Sequence, residues 1–473
     1  MKDLPLRIAR SALCRDSPLG GPRDLRTWLA QAAEQSRMEV AEVPLSALVG
    51  WAADPATGDL RHHSGRFFTV EGLRVEHPEG PVPRWDQPVI EQPEVGILGV
   101  LVREFDGVLH LLAQAKVEPG NRDGLQLAPT VQATRSNYTR VHRGRAVPYL
   151  EFFREPGPHR VIADVRQSEH GSWFFRKRNR NMVVETAEDV EAAPGFRWVT
   201  LGQALASLAC DDVVNMDLRS VLACLPFAGR DAAEALGGSG DGFRGALGRS
   251  CGAAAEGVYG DAELLHWINA ARDRHEVRTR KVPLRELREW RVGDTAISHR
   301  SGAFFDVVGV RVRAVGREVG HWSQPVIRPR GTAVVAFVVR RFHGVLHVLV
   351  RMRVEPGLVD GAELAPTVQC TPENHAHLPP SARPPFLDDV LRAGPERVRF
   401  ATVLSEEGGR LHHARGRYLV VEADPRLAYE HPDFRWVTLG QLASLLRHGH
   451  YVNVQARSLV ACLFGLAAAP SMT

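Results

Sequence analysis

Apolar residues along this chain form paired runs that predict β-hairpins. Such residues dominate 96–102 and 107–114, on either side of Asp106-Gly107, a dipeptide typical of tight hairpin turns. Residues 334–339 and 344–350 repeat the arrangement. The pattern therefore predicts two equivalent hairpins, one in each half of the chain.

The remaining pattern is mixed. Residues 67–75 and 304–312 are predicted strands, and residues 130–142 are predicted to be loop or helix. Residues 199–209 and 437–447 have the spacing of amphipathic helices. The predicted fold class is α+β, with each half a mixed sheet flanked by helices.

Long identical runs recur in the same order in the two halves. Their spacing stays between 237 and 238 positions: FRWVTLGQ at 196–203 and 434–441, LAPTVQ at 127–132 and 364–369, VEPG at 117–120 and 354–357, WxQPVI at 85–90 and 322–327. Such a repeat predicts two homologous domains, residues 1–228 and 261–473. Residues 229–260 are rich in Gly and Ala, which predicts a flexible linker with little to bury.

Composition narrows the function classes. The net charge of +4 is small for 473 residues, so nucleic acid is not an expected partner. No apolar run is long enough to span a bilayer, and residues 1–10 are not followed by the apolar core of a secretory signal. Six cysteines without a CxxC pair indicate reduced thiols, so we expect a cytoplasmic protein.

Four long motifs in the first half resemble the NDP-hexose 2,3-dehydratases of deoxysugar biosynthesis. They are QAKxEPGN at 114–121, QLxPTVQATxSNY at 126–138, QSExGxWF at 167–174 and KRNRNM at 177–182. The resemblance covers nearly the whole chain, including the duplication. It implies tandem Nudix-like domains, a homodimer, and two nucleotide-sugar pockets per subunit of which one is catalytic.

The resemblance also implies a reaction. These enzymes take dTDP-4-keto-6-deoxyglucose and remove water across C2 and C3, which leaves a 3,4-diketo-2,6-dideoxy sugar for a ketoreductase to reduce. No metal or redox cofactor is expected in this step. The chain has no GxGxxG after a strand, which would indicate a nicotinamide site.

Two other functions stay open at this stage. One is a nucleotide-sugar-binding protein without turnover, and the other is a Nudix-type hydrolase of nucleotide sugars. A hydrolase needs a run of glutamates that holds Mg²⁺. Neither half contains that run, and residues 130–149 contain no carboxylate.

A comparison of the halves points to the candidate site residues. Polar groups present only in the first half are Lys116, Asn121, Gln126, Arg135, Ser136, Tyr138, Lys177 and Asn179, which are replaced by Arg353, Leu358, Glu363, Pro372, Glu373, His375, Ala414 and Gly416. Because chemistry needs only one competent pocket, we expect the catalytic pocket to be built chiefly from the first half.

Proton transfer next to a carbonyl requires a base, an acid and donors to the carbonyl oxygen. The catalytic candidates are Lys116, Tyr138 and Lys177. The candidates for substrate binding are Trp51, Gln114, Asn121, Gln126, Thr134, Arg135, Ser136, Asn137, Thr139, Gln167, Ser168 and Asn179. The candidates for a second, degenerate pocket are Trp290, Thr371, Glu373, Asn374 and His375.

Each catalytic candidate has a competing interpretation. Lys116 follows an apolar strand, where its amine acts in proton transfer or pairs with an anion. Lys177 lies in a basic run, which is more often a solvated face. Tyr138 is a proton donor near the sugar or a packed aromatic. Glu118, Glu169 and the pair His62-His63 have partial or full counterparts in the second half, so structural roles are favoured there.

Overall fold

A computed structural model describes residues 4–138, 146–252, 257–315, 319–424 and 431–470. Two candidate groups, Thr139 and the side chain of Tyr138, lie outside the described residues. Within these ranges the chain is an α+β protein with four sheets. The predicted fold class and the duplication are confirmed.

The first copy opens with two helices and continues mainly as strands. Its helices are α1 Leu4–Leu13, α2 Pro22–Gln35, α3 Arg135–Tyr138, α4 Glu151–Arg154, α5 Leu201–Ser207 and α6 Met216–Ala223. Its strands are β1 Met38–Val43, β2 Trp51–Ala53, β3 Leu60–His62, β4 Thr69–Glu76, β5 Arg84–Glu91, β6 Gly96–Phe105, β7 Val108–Val117, β8 Leu125–Ala128, β9 Val131–Ala133, β10 Arg160–Ser168, β11 Phe174–Phe175, β12 Arg178–Glu185 and β13 Phe196–Thr200.

The second copy largely repeats this order after one connecting helix. The helices are α7 Arg230–Ala235, α8 Gly242–Ser250, α9 Asp261–Arg274, α10 Leu387–Leu391, α11 Leu439–Leu445 and α12 Val454–Ala467. Helix α7 is the connecting one, and α8 takes the place of α1, since Ser250 Oγ accepts from the Leu439 amide as Ser11 Oγ accepts from the Leu201 amide. The strands are β14 Arg278–Val282, β15 Trp290–Val292, β16 Ala296–His299, β17 Phe305–Ala314, β18 His321–Pro329, β19 Ala333–Phe342, β20 Val345–Val354, β21 Ala362–Ala365, β22 Val368–Cys370, β23 Val398–Ser405, β24 Arg415–Glu422 and β25 Phe434–Thr438.

Each copy has a large sheet organised around the predicted hairpin. In the first copy the order is β10-β12-β6-β7-β13, with β8 on β7 and β9 on β6. Strands β6 and β7 separate beyond their turn, and Thr130 bridges the gap. Its Oγ1 accepts a hydrogen bond from the Leu101 amide at 2.9 Å and donates to the Leu112 carbonyl. Thr367 does the same in the second copy, which explains why the LAPTVQ run is repeated.

The two copies exchange a strand. Strand β1 pairs antiparallel with β17 of the second copy, while β14 pairs antiparallel with β4 of the first copy. Each small sheet therefore contains one strand from the other half of the chain. The predicted ranges 1–228 and 261–473 follow the repeat in sequence, but in space the two copies are interlocked.

Helices α6 and α12 meet at the centre of the molecule, where two buried arginines hold the copies together. Arg219 Nε donates to Ser458 Oγ at 3.0 Å, and Arg457 Nε donates to Ser220 Oγ at 2.8 Å. Each guanidinium also donates to a carbonyl of its own copy and to one of the other copy. These reciprocal bonds give a physical reason for the repeated Arg-Ser pair. One hydrophobic cluster continues through both copies around them.

The segment 229–260 differs from the flexible linker expected from its composition. It contains α7 and α8, and Leu236, Leu247 and Cys251 are buried in the shared hydrophobic cluster. The small residues of this segment allow its helices to pack closely: α7 contacts α1, and α8 contacts β20 and α12. The prediction of a linker with little to bury was wrong for the described part of this segment.

The repeated glycine after Glu-Pro is required by the close approach of the other copy. The Gly120 amide donates to the Gly408 carbonyl at 2.7 Å, and Gly357 makes the reciprocal bond to Gly171. A Cβ on Gly120 would lie only 1.8 Å from the Leu411 carbonyl oxygen. Backbone atoms leave no space for a side chain there.

We therefore expect Gly120→Ala to destabilise the protein by about 1–3 kcal/mol or more, because the contact between the copies must shift. The measurement is the free energy of unfolding from urea denaturation. Gly293→Ala is the matched control, since its Cβ would meet nothing closer than 3.4 Å. Equal effects of the two substitutions would contradict the close-approach explanation.

Candidate active site

A cavity of about 730 Å³ lies between the large sheet of the first copy and the two small sheets. The first copy contributes Val49, Gly50, Trp51, His62, His63, Ser64, Phe67, Phe68, Gln92, Gly96, Leu98, Lys116, Glu118, Pro119, Gln132, Ala133, Thr134, Asn137, Asn179 and Asp217. The second copy contributes Arg311, Val312, Arg313, Val319, His321, Trp322, Ser323, Gln324, Glu407, Gly409 and Arg410. Neither copy forms this cavity alone.

Lys116 lies on the wall made by the ends of β7 and β9. Its side chain is buried, and Nζ is 3.5 Å from the Gln132 carbonyl oxygen and 4.0 Å from Glu118 Oε1. Gln132 Nε2 donates to the same Glu118 oxygen at 2.8 Å. In the second copy Arg353 Nε reaches the matching Glu355 at 3.0 Å. The longer side chain of Arg353 thus reaches its glutamate, whereas Lys116 Nζ stays 4.0 Å from Glu118 Oε1.

Asp217 lies on the helical side of the cavity, in the first turn of α6. Asn215 caps this helix through the Leu218 amide at 2.8 Å, and its Nδ2 donates to Gln132 Oε1 at 3.1 Å. Asp217 is 4% exposed, and its Oδ1 has no hydrogen-bond partner among the described residues. Burial, followed by nearby carboxylates, raises the pKa of Asp217 well above its usual value.

A loop of the second copy supplies Glu407 and Arg410. Arg410 Nη2 donates to Glu407 Oε1 at 2.8 Å, and the Arg410 amide donates to Glu407 Oε2 at 2.7 Å. Arg410 also donates to Gln92 Oε1 at 2.5 Å. The loop is held against the first copy through the Gly120 and Gly408 backbone bond described above. The exchange between copies therefore places a buried cation in the cavity.

Lys177 lies outside the cavity lining, two residues before Asn179 in the chain. It is buried, and its Nζ donates to the Glu94 carbonyl. Burial, and then the positive charge of Arg410, lower the pKa of Lys177 to about 7. Asn179 itself lines the cavity, accepts from the Gly96 amide at 3.1 Å and donates to Glu169 Oε1 at 2.5 Å.

Basic residues of β17 and β18 line another part of the cavity. Arg311 and Arg313 alternate with buried valines on β17, and the strand partner of Arg311 is Ser323. In the equivalent sheet, Arg74 instead pairs with Asp86 at 3.0 Å. Ser323 thus replaces the carboxylate that neutralises the matching arginine, which leaves this part of the cavity suited to anions.

Several sequence candidates are brought together by this cavity. Trp51, Lys116, Thr134, Asn137 and Asn179 all line it. Trp51 is half-buried, with its ring edge-on to His62 and its Nε1 bonded to the Ser323 carbonyl at 2.8 Å. Thr134 Oγ1 bonds to Asn137 Oδ1 at 2.5 Å.

Other candidates of the first copy do not line the cavity as far as the structure describes it. Gln126 Nε2 donates to Ser405 Oγ at 2.7 Å, and Ser168 Oγ donates to Glu363 Oε2 at 2.6 Å, so both join the two copies. Gln167 Nε2 donates to the Leu446 carbonyl of the second copy. The remaining members are Gln114 on β7, Asn121 bonded to the Gly124 carbonyl, exposed Arg135, and Ser136 bonded to Glu94.

The candidates for a second pocket lie at the matching positions of the second copy. Trp290 is buried and donates to the Asp86 carbonyl at 2.7 Å. Thr371, Glu373 and His375 lie in or next to the 3₁₀ helix Pro372–His377, and Asn374 Oδ1 accepts from the Phe304 amide at 3.0 Å. Burial and neighbouring arginines lower the pKa of His375.

Sequence reasoning missed five charged residues of the cavity, namely Asp217, Arg311, Arg313, Glu407 and Arg410. Asp217 corresponds to Gln455 in the second half, so the comparison that selected Lys116 contained enough information to find it. Glu407 and Arg410 were missed for a different reason. They belong to the second copy, and only the interlocked fold brings them to the first-copy site.

With this geometry established, the class of protein follows from comparison with known families. The chain belongs to the NDP-hexose 2,3-dehydratase family, whose model matches residues 22–225 and again residues 261–463. The two matches coincide with the two copies. In the described residues, none of the helices has the length and apolar character needed to cross a membrane.

Individual relatives are similar over almost their whole length. A dTDP-4-dehydro-6-deoxy-α-D-glucopyranose 2,3-dehydratase of Saccharopolyspora spinosa is 49% identical, covering 97% of this chain and 95% of that protein. Relatives with the same name in Amycolatopsis orientalis and Streptomyces violaceoruber are each 48% identical, over 98% and 92% of this chain and 94% and 95% of theirs.

The pKa of Lys177 predicts how stability depends on pH. Between about pH 7 and pH 10.4 the unfolded lysine holds a proton that the folded one lacks, so the free energy of unfolding rises with pH. The slope from this group is at most about 1.4 kcal/mol per pH unit. We expect Lys177→Met to reduce that slope in urea denaturation between pH 7 and pH 9.

Lys281→Met is the control for this experiment. Lys281 pairs with Glu71 and Glu91, and although burial opposes it, this pairing raises its pKa above the usual value. It therefore stays protonated in both states below pH 10. The explanation fails if both variants change the slope equally.

Proposed function

We propose that this protein removes water across C2 and C3 of dTDP-4-dehydro-6-deoxyglucose and forms the dTDP-3,4-diketo-2,6-dideoxy sugar. Three relatives carry the name of this activity. The observation that carries the proposal is the convergence of Lys116, Asn179 and buried carboxyl groups in one cavity. Its volume is in the range of small-molecule sites.

The reaction balances without a net oxidation. The C4 carbonyl acidifies the C3 hydrogen, a base removes that proton, and negative charge collects on the carbonyl oxygen. The C2–O bond then breaks, and the hydroxyl leaves as water after it gains a proton. The resulting enol becomes the 3-ketone by tautomerisation. Because C2 is reduced while C3 is oxidised, no external hydride acceptor is needed, and we propose that no cofactor takes part.

Lys116 acts at the C3–C4 side of the sugar in this proposal. Its amine is buried on the cavity wall and has a carboxylate 4.0 Å away, which suits a group that handles a proton or a developing enolate. Asn179, Thr134 and Asn137 supply polar contacts for the sugar. Lys177 donates to the carbonyl of Glu94, two residues before Gly96, whose amide bonds to Asn179, so we assign Lys177 a positioning role.

The nucleotide is proposed to occupy the part of the cavity near the small sheets. The half-buried Trp51 ring offers a surface for thymine, and Arg311 and Arg313 offer charge for the diphosphate. The matching Trp290 is buried in the core and the matching Arg74 is neutralised by Asp86. These differences favour the cavity that contains Lys116 as the catalytic one, rather than the equivalent place around Trp290 and Arg74.

A single assay separates the proposed activity from the two alternatives. The protein is incubated with dTDP-4-dehydro-6-deoxyglucose, and the mass of the sugar nucleotide and the released thymidine monophosphate are followed together. Loss of one water supports the dehydratase. Release of monophosphate would indicate hydrolysis, and tight binding without either product would indicate a non-catalytic receptor.

We expect Lys116→Met to lower turnover by about 10²-fold or more, because general acid–base groups contribute at this level. The measurement is kcat from the rate of water loss, with dTDP affinity measured in parallel. Lys281→Met, a partly exposed lysine of β14, is the matched control and should keep its rate. Full activity of Lys116→Met would remove this amine from the reaction.

We expect Arg311→Gln to raise the Kd for dTDP by about tenfold, since hydrogen bonds to charged groups contribute about 1.5–3 kcal/mol. Affinity for thymidine, which has no phosphate, should change little. The measurement is isothermal titration of both ligands, with the exposed Arg278→Gln of β14 as control. An equal loss for thymidine would place Arg311 elsewhere than at the diphosphate.

We also propose which kind of enzyme acts next, and in which oligomeric state and compartment this protein works. A 1,2-diketone is reactive, so an enzyme that reduces a carbonyl is the expected next step. We further propose a homodimer in the cytoplasm. Light scattering of the purified protein tests the homodimer, and the six cysteines, all free in the structure, are compatible with a reducing compartment.

A further inference from the structure

We propose that Asp217 is the general acid that protonates the departing C2 hydroxyl, and that carboxylates from both copies hold it ready for this step. This inference rests on the proposed function and assigns the leaving-group side of the same reaction. Asp217 lines the cavity, yet it is only 4% exposed, and its Oδ1 has no hydrogen-bond partner among the described residues.

An unsatisfied buried oxygen is costly unless a ligand completes it. The hydroxyl of a bound sugar is a suitable partner, because it donates to or accepts from a carboxyl group. In the second copy the same helical position holds Gln455, an amide that has no acidic proton to give. The chain therefore keeps a carboxyl group only in the copy whose cavity also keeps Lys116.

The neighbouring carboxyl groups differ from Asp217 in their hydrogen bonds. Glu118 accepts from Gln132 Nε2 at 2.8 Å. Both oxygens of Glu407 accept from Arg410, one from the guanidinium and one from the amide. Burial raises the pKa of Glu407, but the donors from Arg410 oppose that shift. Asp217 has no comparable donor at Oδ1 among the described residues, so the geometry places a shared proton on Asp217.

Glu169 adds a further negative charge to the same cluster. Its Oε1 accepts from Asn179 Nδ2, and its Oε2 is 3.8 Å from Nδ1 of His170. Burial would lower the pKa of His170, but its contacts with Glu169 and Glu406 raise that pKa to about 10. The protonated His170 in turn favours ionised Glu169. Like charges around Asp217 disfavour its own ionisation.

The N-terminus of helix α6 favours the ionised form of Asp217, but this effect is weaker than the opposing effect of burial and of the neighbouring carboxylates. Asp217 lies in the first turn of α6, where the helix dipole stabilises an anion to a small extent. Burial of a carboxylate among other carboxylates costs more than that. The balance therefore leaves a neutral carboxyl group inside the cavity, which is the form that a general acid needs before the C2–O bond breaks.

The proton balance closes within the cavity. A separate base takes the C3 proton, Asp217 gives a proton to the C2 oxygen, and water leaves. Asp217 is then an anion among anions, and the proton held by the base returns to it through solvent. No oxidant, reductant or metal is required by this step.

The test compares Asp217→Asn with the wild-type protein on two substrates. With dTDP-4-dehydro-6-deoxyglucose, kcat should fall by about 10²-fold or more while dTDP affinity is unchanged. With the analogue that carries fluorine in place of the C2 hydroxyl, most of the rate should remain, because fluoride leaves without prior protonation. Exchange of the C3 hydrogen with D₂O should also persist, since the base is intact.

Gln455→Asn is the matched control, as it shortens the side chain at the equivalent position of the second copy. The proposal is overturned if Asp217→Asn keeps full activity on the hydroxyl substrate. It is equally overturned if the variant loses C3 exchange and the fluorinated substrate to the same extent, since that outcome indicates the base or a structural role. Failure of the wild-type protein to release water would instead reject the proposed function.

Discussion

The reciprocal contact between Arg219 and Arg457 is the interaction on which the rest of the structure depends. Two fully buried guanidinium groups would be strongly destabilising without partners, and each finds them across the boundary between the copies. The bond from Arg219 to the Ser405 carbonyl also fixes the chain just before the Glu406-Glu407 loop. The arginine that joins the copies thus helps to position the loop that enters the cavity.

This interlocking explains how a duplicated protein comes to have an asymmetric site. The scaffold residues are equivalent in both copies, including the bridging Thr130 and Thr367 and the closely approached Gly120 and Gly357. A few substitutions then separate the two sites: lysine against arginine at 116 and 353, aspartate against glutamine at 217 and 455, serine against aspartate at 323 and 86. Each changes charge or reach without disturbing the backbone, so one copy was free to diverge.

Electrostatics in the cavity follow from the same arrangement. Carboxyl groups of both copies converge beside the cavity. Glu118, Glu169 and Glu407 each accept a side-chain hydrogen bond, whereas Asp217 Oδ1 has no partner among the described residues. Arg410, Lys116 and His170 supply compensating charge from different elements. Because these groups come from β7, α6 and loops of both copies, the balance between neutral and ionised carboxyl groups is a property of the assembled copies.

The duplication, the fold class, the hairpins and the family could all be predicted from the sequence, since they depend on local pattern and on long repeated runs. The sequence also selected Trp51, Lys116, Thr134, Asn137 and Asn179, which the structure brings to one cavity. By contrast, the packing of the two copies was needed to place Glu407 and Arg410 in that cavity and to show that Gln126 and Ser168 bridge the copies instead. The physical reason is that the bond between Arg219 and Ser458 joins residues 239 positions apart, and the exchanged strand β1 pairs with residues still farther along the chain, which no local pattern encodes.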